Sequence, residues 1–126
     1  MELTVAGHNV FAATGGRPFD PELPSAVLLH GAGMDRTVWS FQARYFAHHG
    51  RSVAAVDLPG HGRSEGELLT SVDAMADWIA ALIEALGAPT VALAGHSMGA
   101  FAVLATAARV PEKVRGLALL GIGASF

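Results

Sequence analysis

The stretch VALAGHSMGAFAVLATAARV, residues 91–110, decides how the chain is read. It is the most apolar window of the sequence and about the length of a membrane span, which takes ~20 residues. Gly95-His96-Ser97-Met98-Gly99 splits it into halves of different texture. Ahead of the glycines, Val91 to Ala94 is a short apolar run suited to a strand covered on both faces. Behind them, the Ala-rich run from Gly99 to Val110 suits a helix that ends before Pro111. The reading is therefore strand, sharp turn and helix, with no membrane span.

The same rhythm recurs outward from this unit. Ala26 to Leu29, Val53 to Val56 and Leu117 to Leu120 are short apolar runs. The first two enter Gly-containing turns and then helical stretches, as strands of a parallel sheet do when helices cross between them. A mostly parallel sheet with right-handed crossovers and helices on both faces follows, an α/β fold. From Ser71 to Leu86, Met75, Trp78, Ile79, Leu82, Ile83 and Leu86 recur at helical spacing. Thr70 with Asp73 resembles a capping box there, and Gly87 and Pro89 close the helix. An earlier helix is expected over Thr37 to His49, with Val38, Phe41, Tyr45 and Phe46 inward and Gly50 ending it. Leu3 to Val5 and Val10 to Ala13 suggest an antiparallel pair at the amino terminus, followed by the turn-rich Gly15 to Pro24.

With 126 residues, 52% apolar and 15% charged, the chain is one domain with a real core. The net charge of −3, with eight Lys and Arg scattered through the sequence, gives no basic patch for nucleic acid or anionic lipid. Neither nucleic acid nor membrane is an expected partner. There is no cysteine, which removes disulfides, thiolate catalysis and cysteine-held metals. The start, MELTVAGHNV, lacks the pattern of a signal peptide, and a cytoplasmic location follows by default. His8, His48 and His49 have no metal-ligand spacing, so neither a metal nor another cofactor is expected.

Three segments carry chemistry. Gly95-His96-Ser97-Met98-Gly99 fits G-x-S-x-G between strand and helix, where a serine on a sharp turn lifts its hydroxyl clear of the backbone. Gly95 and Gly99 let strand and helix approach, and the amide of Met98, at the helix start, is a candidate oxyanion donor. The competing reading is a turn that merely joins two elements. His30-Gly31-Ala32-Gly33 follows a strand end on what would be the ligand-binding rim, with Ala32 as second oxyanion donor and Gly31 and Gly33 keeping the approach open. His30 is read as holding a loop by hydrogen bonds rather than as the general base. Asp57-Leu58-Pro59-Gly60-His61-Gly62-Arg63-Ser64 has the composition of a rigid, folded-back loop. Asp57 is read as the acceptor of loop amides, with Arg63 bracing the loop; His61 is likewise structural.

These segments, in this order, resemble the α/β-hydrolase superfamily, and in particular its esterase, lactonase and carbon–carbon bond hydrolase branch with HGxG, DxPGHGxS and GHSMG. The resemblance covers Val27 to Leu120. It implies an eight-stranded sheet, Ser97 as nucleophile, the amides of Ala32 and Met98 as oxyanion hole, and a small-molecule ester, lactone or related carbonyl substrate. It also implies an acid after a seventh strand and a histidine after an eighth. Residues 1–126 are accordingly read as the amino-terminal part of a single α/β-hydrolase domain, truncated after the sixth strand. Such a fragment is expected to be inactive alone and to leave an apolar edge. A complementing carboxy-terminal segment or a self-pairing edge strand would cover that edge. The alternative function is a non-catalytic, hydrolase-like binding or interaction module.

Overall fold

A computed structural model describes residues 1–121 of the chain; residues 122–126, and with them the end of the chain at Phe126, lie outside the described residues. Six strands, β1 (Glu2–Val5), β2 (His8–Ala13), β3 (Ser25–Leu29), β4 (Ser52–Val56), β5 (Val91–His96) and β6 (Val114–Leu120), form one sheet in the order β1-β2-β4-β3-β5-β6. β1 pairs with β2 and β2 with β4 antiparallel, and the other pairings are parallel. The amino-terminal pair and the four expected parallel strands are thus all present, β6 starting three residues before the expected Leu117.

Continuous apolar runs become strands buried on both faces: every residue of β3 and β4 is buried. On one face Val27, Leu29, Ala54, Val56, Val91 and Leu93 pack under the two helices α2 (Val72–Leu86) and α3 (Met98–Arg109). The α2 stripe is the expected one, since Met75, Trp78, Ile79, Leu82, Ile83 and Leu86 are all buried. Each large side chain among them contributes roughly 1.5–3 kcal/mol relative to exposure. Its amino-terminal cap departs from expectation: Ser71, not Thr70, accepts the amide of Ala74 at 3.0 Å. Gly87, at φ 75°, ends the helix in the left-handed region as anticipated.

The opposite face is covered by α1 (Ser40–Ala47), entered through a 3-10 turn at Arg36–Trp39. Here the expected face is corrected. Trp39, Ala43 and Ala47 are buried against Ala26, Leu28, Val53 and Ala55, with Phe46 partly buried beside them. Phe41 is 87% exposed, and Val38 and Tyr45 also face outward. Alanines at the contact let the helix lie close to a sheet surface built from small residues, so the larger apolar side chains point away.

Chain direction places the site. From β3 the chain crosses to β4 through α1 on one face, and from β4 it returns past β3 to β5 through α2 on the other. The loops leaving β3 and β5 therefore diverge to opposite faces, opening a crevice at the carboxyl rim where the strand order reverses.

Candidate active site

Ser97 occupies the bend between β5 and α3 with φ 57° and ψ −117°. Among the described residues only Ser97 and Ala6 combine a side chain with positive φ, a conformation that costs of order 1–3 kcal/mol and persists where the surroundings impose it. The surroundings here are tight. A Cβ on Gly95 would collide with the carbonyl of Gly99 and lie 2.7 Å from the amide nitrogen of Ala100. One on Gly99 would lie 2.6 Å from the carbonyl oxygen of His30 and 2.7 Å from that of Leu29. The glycines thus let the first turn of α3 rest on the end of β3. The amide of Ser97 donates to the carbonyl of Leu120 at 2.9 Å, fixing the bend from the β6 side.

The loop after β3 reaches the same point. A Cβ on Gly31 would stand 3.2 Å from both the Cβ of Ser97 and the carbonyl oxygen of His96, so Gly31 packs directly against the serine. Residues 31–34 form a turn closed by the amide of Met34 donating to the carbonyl of Gly31 at 3.2 Å, with Gly33 at φ 72°. Exposed Ala32 sits inside this turn. Met98 is the first residue of α3, a position whose amide has no acceptor within the helix. The structure therefore packs Gly31 against the half-buried Ser97, with Ala32 next to Gly31 in the turn and Met98 next to Ser97 at the start of α3.

His30 is fully buried. Its Nε2 accepts the amide of Leu58 at 3.0 Å and its Nδ1 meets the carbonyl of Gly31 at 2.7 Å. That pairing makes Nδ1 the protonated nitrogen and the ring neutral. Burial holds its pKa below the ordinary 6.5, opposed by the Gly31 hydrogen bond and reinforced by the neighbouring His61. His61 lies with its ring 4.9 Å from that of His30 and links loops in the same way, accepting the amide of Gly33 at 3.4 Å and meeting the carbonyl of Pro59 at 3.1 Å. Both rings tie the loops after β3 and β4 together, and neither has a free nitrogen with which to take a proton from Ser97.

Asp57 is also fully buried. Its carboxylate accepts the amides of Arg36 at 2.8 Å and Arg63 at 2.9 Å, the loop-bracing arrangement read from the sequence. The carboxylate also pairs with the guanidinium of Arg36 at 2.8 Å, while that of Arg63, read as bracing the loop, lies over the Phe11 ring, 4.1 Å from its centroid. Sequence reading missed Arg36 because it stands 21 residues away, in the turn before α1. It also missed two buried nitrogens, Trp39 Nε1 and His96 Nδ1, that have no hydrogen-bond partner among the described residues. Among the described residues no group of three metal-ligating side chains occurs, and no helix is long and apolar enough to cross a membrane.

Residues 24–125 match the family described as alpha/beta hydrolase fold. The chain belongs to the α/β-hydrolase family. Among its α/β-hydrolase relatives, the (E)-2-((N-methylformamido)methylene)succinate hydrolase of Acinetobacter baylyi is 36% identical over 95 residues, 75% of this chain and 36% of that protein. The pimeloyl-[acyl-carrier protein] methyl ester esterase of Chromobacterium violaceum is 37% identical over 118 residues, 94% of this chain and 42% of that protein. The crystal structure of a membrane phospholipase A, a bacterial virulence factor, superposes with a TM-score of 0.84 at 33% identity, over 94% of this chain and 38% of that one. The chain thus spans well under half the length of these α/β-hydrolases.

Proposed function

We propose that this chain is the nucleophile-bearing part of a serine hydrolase that cleaves a small ester, lactone or related carbonyl substrate through an acyl-enzyme at Ser97. The observation that carries the reading is the strained backbone of Ser97, φ 57° on a strand-to-helix bend, with Gly31 packed against its side chain. Strain of this kind, sustained by two glycines that nothing larger could replace, presents the hydroxyl to the rim crevice. The naming of the relatives as hydrolases and an esterase supports the same class.

In the proposed reaction the Ser97 oxygen attacks the substrate carbonyl and gives its proton to a base. The oxyanion accepts the amides of Ala32 and Met98, and the leaving group departs with the proton. Water then attacks the acyl carbon, releasing the acid and returning the proton to Ser97. His30 and His61 are occupied elsewhere, so the base and its acidic partner come from the remainder of the fold. Without a base the serine retains a hydroxyl of high pKa, and the rate is lower by several powers of ten. Residues 1–126 are on this reading inactive by themselves, and their small-molecule substrate is held only when a carboxy-terminal complement is present.

The experiment is covalent labelling by a fluorophosphonate. Residues 1–126 are joined to the carboxy-terminal portion of the Chromobacterium violaceum relative, and labelling is compared with the Ser97→Ala variant and with the 126-residue chain alone. Labelling of the folded chimera that disappears in Ser97→Ala and is absent from the isolated chain is the expected result. A folded chimera that is not labelled, or is labelled equally in Ser97→Ala, overturns the proposal and leaves the binding-module reading.

A further inference from the structure

At the β1 edge of the sheet lies a cavity that the serine site does not use. It measures about 350 Å³, a size in the range of small-molecule sites, and opens between the β1–β2 turn, the segment that follows the Asp57 loop, and α2. Pro59, Leu69 and Trp78 supply apolar walls, Ala6 adds a methyl group, and His8 and Glu67 bring polar atoms. None of these residues lines the two cavities of the rim, which share Met34 and Val38.

Hydrogen bonds and packing fix the walls. Segment 64–66 is bound along β2. Ser64 Oγ accepts the amide of Phe11 at 3.0 Å and donates to the carbonyl of Asp57 at 2.6 Å. The amide of Glu65 donates to the carbonyl of Asn9 at 2.9 Å, and that of Asn9 donates to Glu65 Oε1 at 3.2 Å. Trp78 belongs to the buried stripe of α2, and Leu69 packs against the same core. Gly66 keeps the space open: its φ is 107°, and a Cβ there would stand 3.4 Å from Pro59 and 3.6 Å from the ring of His8. Ala6 and Gly7 both have positive φ. Hairpin turns of that shape favour Asn or Asp at the first position, and here a methyl group faces the cavity in place of a polar side chain.

The carboxylates around the mouth are uncompensated. Glu67 is exposed and pairs with no base among the described residues. Neither do Glu65 and Glu2, which both accept hydrogen bonds from Asn9, the neighbour of His8. Arg63, the base closest to them in sequence after β2, has its guanidinium over the Phe11 ring. On α2, by contrast, Asp73 and Asp77 pair with Arg109, and Glu84 with Lys113. Apolar walls of this size accommodate a ring, carboxylates without partners attract a cation, and an aromatic wall adds to that attraction. An anion of the same shape would meet charge of its own sign.

We propose that this cavity binds a small organic cation with an aromatic or apolar body, an arylalkylamine in type, its ring against Trp78 and Pro59 and its ammonium group at Glu67. The inference does not depend on Ser97 being the nucleophile.

Phenethylamine, phenethyl alcohol and phenylacetate test it, since they share one ring and differ in charge. Each is titrated into residues 1–126, and into the chimera with the Chromobacterium violaceum carboxy-terminal portion, while the Trp78 indole proton, assigned with Trp39→Phe, and the His8 ring protons are followed by NMR. Phenethylamine is expected to shift both saturably and to bind at least about tenfold more tightly than phenylacetate, an advantage that shrinks at about 0.5 M salt. Glu67→Gln, at an exposed position, leaves the unfolding temperature within about 2 °C. It weakens phenethylamine at least about fivefold and leaves phenethyl alcohol unchanged, whereas Glu112→Gln, an exposed carboxylate beyond α3, alters neither. Equal affinity for the three probes, indifference to Glu67→Gln, or shifts confined to the residues of the rim overturns the proposal. Binding to residues 1–126 that is lost in the folded chimera assigns the cavity to the remainder of the fold and overturns it as well.

Discussion

At the scale of single residues, the rim is held by groups whose chemistry is spent on structure. Asp57 has no exposed surface, and its partner Arg36 is 20% exposed. Removing the carboxylate leaves a largely buried guanidinium and two amides without acceptors, and Asp57→Ala is expected to cost about 3 kcal/mol, read as a lower urea midpoint with an unchanged slope. His30 gives a pH dependence. Its folded pKa is depressed below 6.5 by burial, so between that lower value and 6.5 the unfolded chain binds the extra proton. Stability is complete above pH ~6.5 and falls as pH drops through the window below it, by at most about 1.4 kcal/mol per pH unit. Urea midpoints at pH 7.5 and 5.5 should therefore diverge, and His30→Gln should reduce the difference. Reading His30 and Asp57 as structural was possible from the sequence because constrained loops must satisfy their own amides. Their partners were not legible, since the amides of Leu58 and Arg36 reach them across 28 and 21 residues.

At the scale of elements, legibility followed the range of the forces involved. The stripe of α2 could be read because α2 buries large side chains at helical spacing against a core that accepts them. The face of α1 could not, because Trp39, Ala43 and Ala47 meet a floor of small residues and a pattern weighted by size points to Phe41 and Tyr45 instead. The bend at Ser97 was legible from its two glycines, although their reason lies in tertiary contact: Gly99 abuts β3, a strand 70 residues earlier. Gly99→Ala should accordingly behave as overpacking against backbone that has no rotamer to yield. A loss of about 3 kcal/mol or more is expected, whereas Ala105→Gly, in the middle of the same helix, should cost only about 1 kcal/mol of helix propensity. Chemical denaturation of the two variants separates these cases.

At the scale of the whole molecule, the outer strands of the sheet are β1 and β6. The β1–β2 hairpin ends the sheet on one side in an antiparallel ribbon, while among the described residues β6 pairs only with β5, and Leu117, Leu119 and Leu120 are between 40% and 45% exposed. An apolar strand with an unused ladder invites another strand to pair with it, and a net charge of only −3 offers little repulsion against association. Residues 1–126 alone should therefore self-associate as concentration rises, in a manner that salt does not abolish because apolar contact rather than charge drives it. Leu119→Lys puts a charge on that edge and should shift the sedimentation profile toward monomer without lowering the unfolding temperature appreciably, since the side chain it replaces is already substantially in water. An equally charged substitution at exposed Leu104, on α3, should leave association unchanged; if it suppresses association as strongly, the attraction resides in the helical face and not in the free ladder of β6.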